Sequence, residues 1–582
     1  MGKWWKVSVV FIISCQLSII NCEAQHPKDF FRSPLDIPLF LSGNFGELRS
    51  NHFHSGLDIK TQGVENKPVY APADGFVSRI KIQPGGYGNA MYIKHANGYT
   101  TVYGHLNTYN DSIAKYVKAE QYKKESFEIE LFPDSNLFRV KKGDVIAYTG
   151  NTGSSGGPHL HFEIRDSKTE SAYNPLFFGF VVKDKIPPAI TSLIVYAFDE
   201  SYRKGWTSKK TYAVTKSENK YVVNGGKPIA TSGITGFGLE VYDQLDGADN
   251  HNGAYSIELL KDSSRIYFHK IDEMPFHLSR FINSHIDYEE KVLNKNAVQK
   301  SFVEPGNQLK IYDTKITAGK TLIETGKKYT FSYLVTDVAG NSSSLKFIVE
   351  GAKISEPQKK DTLAAKIFYF DSVNTFKATG IELQMPDFAL YHDIDFLYSA
   401  KPNTKQTYSA VHHIHKNTVP LQREYTLSIT PDSVSEKIKD KLLIVSFNSS
   451  GNPVSEGGKL ENGIVATKTK SFGSFAVMAD TTKPKITPVN ITHDGDLSAA
   501  KTIKVKITDN LSGIGYYRGS IDGKWILMEY DAKNSLLTYT FDQILSKGKH
   551  YFELILTDGK QNTAKYEAHF HRLTKVNIAH TN

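Results

Sequence analysis

Short runs in which Val, Ile, Thr and aromatic side chains alternate with polar ones recur from Val69 to about His571, separated by turns rich in glycine and asparagine. A period of two sends successive side chains to opposite faces of a strand, so a chain patterned this way must bury one face of many short strands. The 32 Tyr and 33 Phe favour the same outcome, because aromatic residues pack well on a pleated surface. At 582 residues the chain is too long for one core, and three to five domains of ~100–200 residues are expected. The expected fold class is mainly β, with a compact antiparallel unit first and about three β-sandwiches behind it.

The first 25 residues read as a targeting segment. Lys3 and Lys6 begin it, Val7 to Ile20 is apolar, and Cys22-Glu-Ala24 forms a small-x-small cleavage site before Gln25. The apolar run is shorter than the ~20 residues that span a bilayer, which favours a cleaved signal peptide over 1–24. The protein is then exported, to the periplasm, the cell envelope or the medium. Lipidation at Cys22 is the rival, and Ile20-Asn21 is a poor match to the small residues it needs. Both cysteines, Cys15 and Cys22, lie in this leader, so the mature chain would have no thiol for disulfides or metal. No later segment approaches transmembrane length. The net charge of +9 is spread thinly, without the basic stripe that nucleic-acid binding requires.

Residues 26–180 form the first unit, with strands over Phe76 to Ile82, Met91 to His95, Thr100 to His105, Val145 to Tyr148 and Leu160 to Ile164. Residues 108–139 interrupt it. Asp111 to Glu128, rich in Lys and Glu, reads as an exposed helix or flap, either a solvated insertion or a wall beside a site. Lys183 to Pro188 leads into a second unit (186–350), a third covers 352–479, and Asp480 to Lys485 leads into a fourth (483–573). The fourth echoes the second: Thr336-Asp337 precedes Val-Ala-Gly-Asn341, as Thr557-Asp558 precedes Gly-Lys-Gln-Asn562. Units of short alternating strands, some of roughly 90 residues, fit sandwiches of immunoglobulin type.

Two histidine clusters carry the chemistry: His54-Ser-Gly-Leu-Asp58 and His159-Leu-His161. Imidazole with carboxylate suits zinc, and a site with only three protein ligands keeps a position open for hydrolysis. Gly56 is expected to let the backbone turn so that His54, on a loop, and Asp58, at the start of a strand, reach one ion. Within Leu160-His-Phe-Glu-Ile164, a strand would put His159 and His161 on one face and Leu160 and Phe162 on the other. Tyr103-Gly-His105 adds a histidine at a strand end, with Tyr103 expected on the same face.

These residues stand among Pro68-Val-Tyr-Ala-Pro-Ala-Asp-Gly75, Gly86-Tyr-Gly-Asn89, Tyr103-Gly-His-Leu106, Lys142-Gly-Asp144, Gly150-Asn-Thr-Gly153 and Gly157-Pro-His-Leu-His-Phe-Glu163. In order and spacing, about residues 40 to 177 resemble the M23 peptidases, the zinc-dependent LytM/lysostaphin-type endopeptidases that cut peptidoglycan peptides. The resemblance implies one Zn2+ held by His54, Asp58 and His161. It implies that His105 and His159 are catalytic and unligated, and that the partners are peptidoglycan peptides. Members that have lost activity typically lack one of these five, and all five are present. The long segment from Thr108 to Arg139 departs from simpler members. The alternative is a catalytically silent wall-binding or regulatory protein that keeps the fold as a scaffold. The later units could meet cell-envelope partners.

Other polar residues are expected to be structural. His52 is assigned to the surface or the surroundings of the site, and His95 to a strand edge. His412-His-Ile-His415 reads as surface residues of a β domain. Asp313, Asp337 and Asp558 sit near loop ends, where turn-forming roles are favoured over calcium.

Overall fold

The computed structural model describes residues 26–217, 220–313, 318–352, 365–542 and 545–572. The expectations for residues 1–24 and Cys22 lie outside them. The described chain is nearly all β, as its alternation requires.

The first unit contains β1 (Leu41–Gly43), β2 (Leu57–Lys60), β3 (Gly75–Ile82), β4 (Asn89–His95), β5 (Tyr99–Tyr109), α1 (Asp111–Lys124), β6 (Arg139–Val140), β7 (Val145–Thr149) and β8 (His159–Asp166). Its main sheet runs β1-β2-β8-β5-β4-β3-β6, with β7 paired to β5. All these pairings are antiparallel. Central β8 divides its residues by the period of two. Leu160, Phe162 and Ile164 are fully buried in the apolar core, while His161, Glu163 and Arg165 form a buried polar row on the opposite face.

The lysine-rich insertion folds as α1. Asn110 caps it by accepting from the Ile113 N–H, and Ile113, Val117 and Gln121 face inward. Its outer surface is not simply solvated. Tyr122 packs edge-on against Trp525 at 5.1 Å and donates to Asp542 at 2.7 Å, and Lys118 pairs with the same carboxylate. The last β unit thus docks on the insertion.

Behind the first unit, residues 189–351 build an eleven-stranded sheet. Residues 366–479 place two five-stranded sheets and a two-stranded pair around one core, and residues 485–572 place a four- and a five-stranded sheet around another. The first core does not stop at residue 180. Ala172–Tyr173 pairs with Glu273–Met274, and Leu278, Phe281, Ile282 and Ile286 join the same apolar cluster. Leu278 and Ile282 lie in two short helices, Phe276–Ser279 and Ile282–His285, Phe281 and Ile286 flank the second, and a third helix, Tyr288–Leu293, follows, all within a unit expected to be a β-sandwich. A second expectation also changes. His412 is 1% exposed rather than superficial, because it alternates with Val411 and His413 on an inner strand bonded to Phe475 and Ser474.

Candidate metal centre

Register brings the two histidine clusters together. On neighbouring strands β2 and β8, Asp58 stands directly opposite His161, and directly opposed residues project to the same face. His54 reaches the same point from the loop before β2. His161 Nδ1 lies 2.9 Å from Asp58 Oδ1, His54 Nε2 lies 3.1 Å from that oxygen, and the two imidazole nitrogens are 3.1 Å apart.

Gly56 serves this geometry differently from the expectation. Its φ lies outside the left-handed region, and what matters is proximity: a Cβ there would sit 2.3 Å from the Phe162 carbonyl oxygen and 2.8 Å from Glu163 Cγ. The missing side chain lets the loop lie against β8.

Hydrogen bonds fix each ring. His54 Nδ1 donates to the Asn44 carbonyl at 2.7 Å, and His161 Nε2 donates to Glu163 Oε1 at 2.7 Å. Their inward nitrogens are therefore lone pairs, and both point at a carboxylate oxygen. In these neutral tautomers three acceptors converge on one point, an arrangement that a proton on His161 or a bound metal cation would reconcile. Tetrahedral ligands about 2.0–2.1 Å from an ion would be about 3.3 Å apart, close to the observed separations. The electrostatics agree. Although burial opposes it, the hydrogen bonds that a protonated His161 donates to the Asp58 and Glu163 carboxylates raise its pKa to about 9, so the site favours positive charge at this spot. Asp58 is held well below the usual carboxylate range against the cost of its burial by His54, His159 and His161. Its other oxygen pairs with Arg49 at 2.9 Å.

The remaining two histidines flank the cluster with their rings 4.7 Å apart. His159 Nδ1 donates to the Gly157 carbonyl at 2.8 Å, and its Nε2 is 3.4 Å from Asp58 Oδ1. His105 Nδ1 donates to the Thr152 carbonyl at 2.8 Å. Burial, reinforced by His161 and His159, lowers the His105 pKa to about 3, so its ring is neutral at ordinary pH. Tyr103 does not share its face as expected. Tyr103 is fully buried opposite Phe162, and His105 takes φ +60°, a left-handed twist at a register shift in β5 that turns its ring out of the core.

An open cavity of about 600 Å3 lies over these groups, lined by His54, Asp58, His105, His161, Arg49 and Tyr87 among others. His52 is exposed at its rim. His95 is buried apart from it, with both ring nitrogens hydrogen-bonded, to the Asp74 carbonyl and to Thr101.

Several supporting residues had no assigned role in the sequence. Glu163 is fully buried and accepts from Ser55 and Tyr87, both at 2.6 Å, besides His161 and Arg165. Its position two residues after His161 was the available signal. Arg49 and Asn44 left none. From the last β unit, Lys533 donates to the carbonyls of Asn151 and Ser155, in the loop that carries Thr152 and leads to His159.

The profile of Peptidase family M23 matches residues 52–122 and 136–175, and that of a Zu5-like domain matches 365–480. A Haemophilus influenzae protein named an uncharacterized metalloprotease is 36% identical over 155 residues, 26% of this chain and 27% of its own. The DD-carboxypeptidase/endopeptidase Mpg of Neisseria meningitidis is 35% identical over 118 residues, 20% and 21% of the two chains. The peptidoglycan DD-endopeptidase ShyC of Vibrio cholerae is 32% identical over 142 residues, 23% and 27% of the two chains. The chain thus spans about a quarter of the length of the curated relatives it matches. The β unit that holds His54, Asp58 and His161 is a peptidase family M23 domain.

Proposed function

We propose that the chain is an exported zinc metalloendopeptidase that hydrolyses peptide bonds in peptidoglycan. The observation that carries this reading is the convergence of His54 Nε2, Asp58 Oδ1 and His161 Nδ1 on one point, with two further imidazoles beside it. The names of the Neisseria and Vibrio relatives support the substrate class. On this reading His54, Asp58 and His161 hold the ion, which when bound supplies Lewis acidity at the floor of the groove.

The protein's own groups handle the protons. His159 and His105 each tie Nδ1–H to a backbone carbonyl and so present Nε2 as a proton acceptor. His159, nearer Asp58, takes the proton of the attacking water. The imidazolium so formed becomes a donor, and returns that proton to the amine as the peptide C–N bond breaks. His105, neutral and beside it, presents a second lone pair at Nε2 and completes the proton-handling pair; it donates towards the charge that develops on the carbonyl oxygen only once Nε2 has taken up a proton. Glu163, Asn44, Gly157 and Thr152 act by holding the four rings in these tautomers.

Zinc content and digestion of purified peptidoglycan, measured together, test this. His161→Ala should lose zinc. His159→Ala should retain it while the rate falls at least ~100-fold, the usual scale for a general base. A His159→Ala protein that cleaves muropeptides like the unmodified chain would refute the role, and a zinc-loaded protein inert on peptidoglycan would refute the activity. The units behind the peptidase domain, some with immunoglobulin-like pattern, fit binding to envelope partners.

A further inference from the structure

Away from the groove, a group of three carboxylates occurs twice in matching places. Asp184, Asp243 and Asp337 each bring an oxygen within 4.8 Å of the others, and so do Asp480, Asp509 and Asp558. The surroundings match as well. Asp337 and Asp558 each accept from the N–H of the residue four positions on, Asn341 or Asn562. In both cases that asparagine's side-chain amide donates to the same carboxylate and to the carbonyl of Asp184 or Asp480. The third carboxylate opens Asp243-Gln-Leu-Asp-Gly247 in one case and Asp509-Asn-Leu-Ser-Gly513 in the other. The turn-forming role expected of Asp337 and Asp558 is present, yet it does not account for the convergence of three acids.

The first group contains a feature that turn formation leaves unexplained. Asp243 is 2% exposed, and its Oδ1 has no hydrogen-bond partner among the described residues. Asn252, joined to Asp243 by both backbone hydrogen bonds and 3% exposed, likewise leaves its Oδ1 without a partner. Buried like charges with an unsatisfied oxygen are strongly unfavourable unless a proton neutralises them or a cation joins them, and a cation would also satisfy the free oxygen.

An all-oxygen donor set selects a hard cation. Oxygens 2.3–2.6 Å from one ion can stand up to about 5 Å apart across it, which accommodates the observed spread. Magnesium gives up its water reluctantly, so a buried site of this kind suits calcium better. We propose that Asp184, Asp243 and Asp337 bind a calcium ion that ties the connection leaving the peptidase domain to the β unit behind it. The proposal is confined to this group. At its counterpart Asp509 Oδ1 likewise lacks a partner, but Asp509 is only partly buried, and both oxygens of Asp480 as well as of Asp558 are hydrogen-bonded.

Equilibrium dialysis of radioactive calcium against the full chain, at fixed saturating zinc and millimolar calcium, tests the site. Asp243→Asn and Asp184→Asn should each bind one equivalent less than the unmodified protein. Calcium should raise the melting temperature of the unmodified chain and raise that of the variants less. Without calcium, Asp243→Asn should melt no lower than the unmodified chain, since it removes a buried charge. Should Asp243→Asn fail to fold by circular dichroism, Asp184→Asn, at a half-buried position, decides the matter. His161→Ala should keep the full calcium count. Equal binding by the unmodified chain and the folded variants, no retention by the unmodified chain, or loss of the same equivalent in His161→Ala would overturn the proposal.

Discussion

Glu163 lies two residues beyond His161 on the same face of β8, and one of its oxygens accepts from His161 Nε2 at 2.7 Å while the other meets the Arg165 guanidinium. This carboxylate decides which nitrogen of His161 faces Asp58. Opposed charges hold it well below the usual carboxylate range despite complete burial. Glu163→Gln should weaken zinc binding by about 10–100-fold, the usual effect of removing a partner behind a ligand. Chelator competition measures this, with circular dichroism to confirm folding, and an unchanged affinity would exclude the orienting role.

Gly56 should not tolerate even a methyl group. A Cβ there meets the backbone of β8 and cannot be relieved by a rotamer change. Gly56→Ala should cost about 3 kcal/mol or more, the upper range for overpacking, and should lower zinc retention with it. Denaturant unfolding measures the first and metal analysis the second. A variant with the parental midpoint and full zinc would contradict the close packing.

Asp542 receives Tyr122, Lys118 and, from its own unit, Tyr539. Asp542→Ala removes all three contacts across or beside this junction. The expected outcome is release of the last β unit from α1, seen as a larger radius of gyration in small-angle scattering and faster proteolysis near residues 480–485. Identical scattering would show that Arg518–Glu125 and the Tyr122–Trp525 contact suffice.

His285 supports an acid-dependent loss of stability. It is fully buried 5.7 Å from Phe53 and 4.8 Å from His269, ring to ring, and hydrogen-bonds Tyr312 and Gln299. Burial lowers its pKa to about 4 from 6.5. Because the folded value is the lower one, the stabilisation is present above pH 6.5 and is lost as pH falls towards 4. At roughly 1.4 kcal/mol per unit, the contribution is about 3 kcal/mol. Unfolding midpoints across that window should fall for the parent and fall less for His285→Gln, and parallel curves would refute the assignment.

What could be read in advance was local. The alternation of Leu160, Phe162 and Ile164 with His161 and Glu163 gives β8 both its faces, and the mainly β architecture follows from many such runs. The opposition of Asp58 and His161 is different, because it depends on which strands become neighbours across 103 residues of chain. His105 is named in the sequence but its direction is not: strict alternation would put it on the core face with Tyr103, and the left-handed twist in β5 reverses it. The helices from Phe276 to Leu293 owe their place to the peptidase core they complete, which no property of that stretch alone announces.

The hydrogen bond between Tyr122 and Asp542 joins residues 420 positions apart. Loop-closure entropy grows only logarithmically with such a separation, so the distance along the chain hardly weakens the contact. It does date it. A growing polypeptide has His54, Asp58 and His161 in place hundreds of residues before Asp542 is made. For that interval the groove has no neighbour at Asn151 and Ser155, and α1 shows a face that the mature molecule covers. The candidate metal centre is thus older, in the life of each molecule, than the flank the last unit gives it.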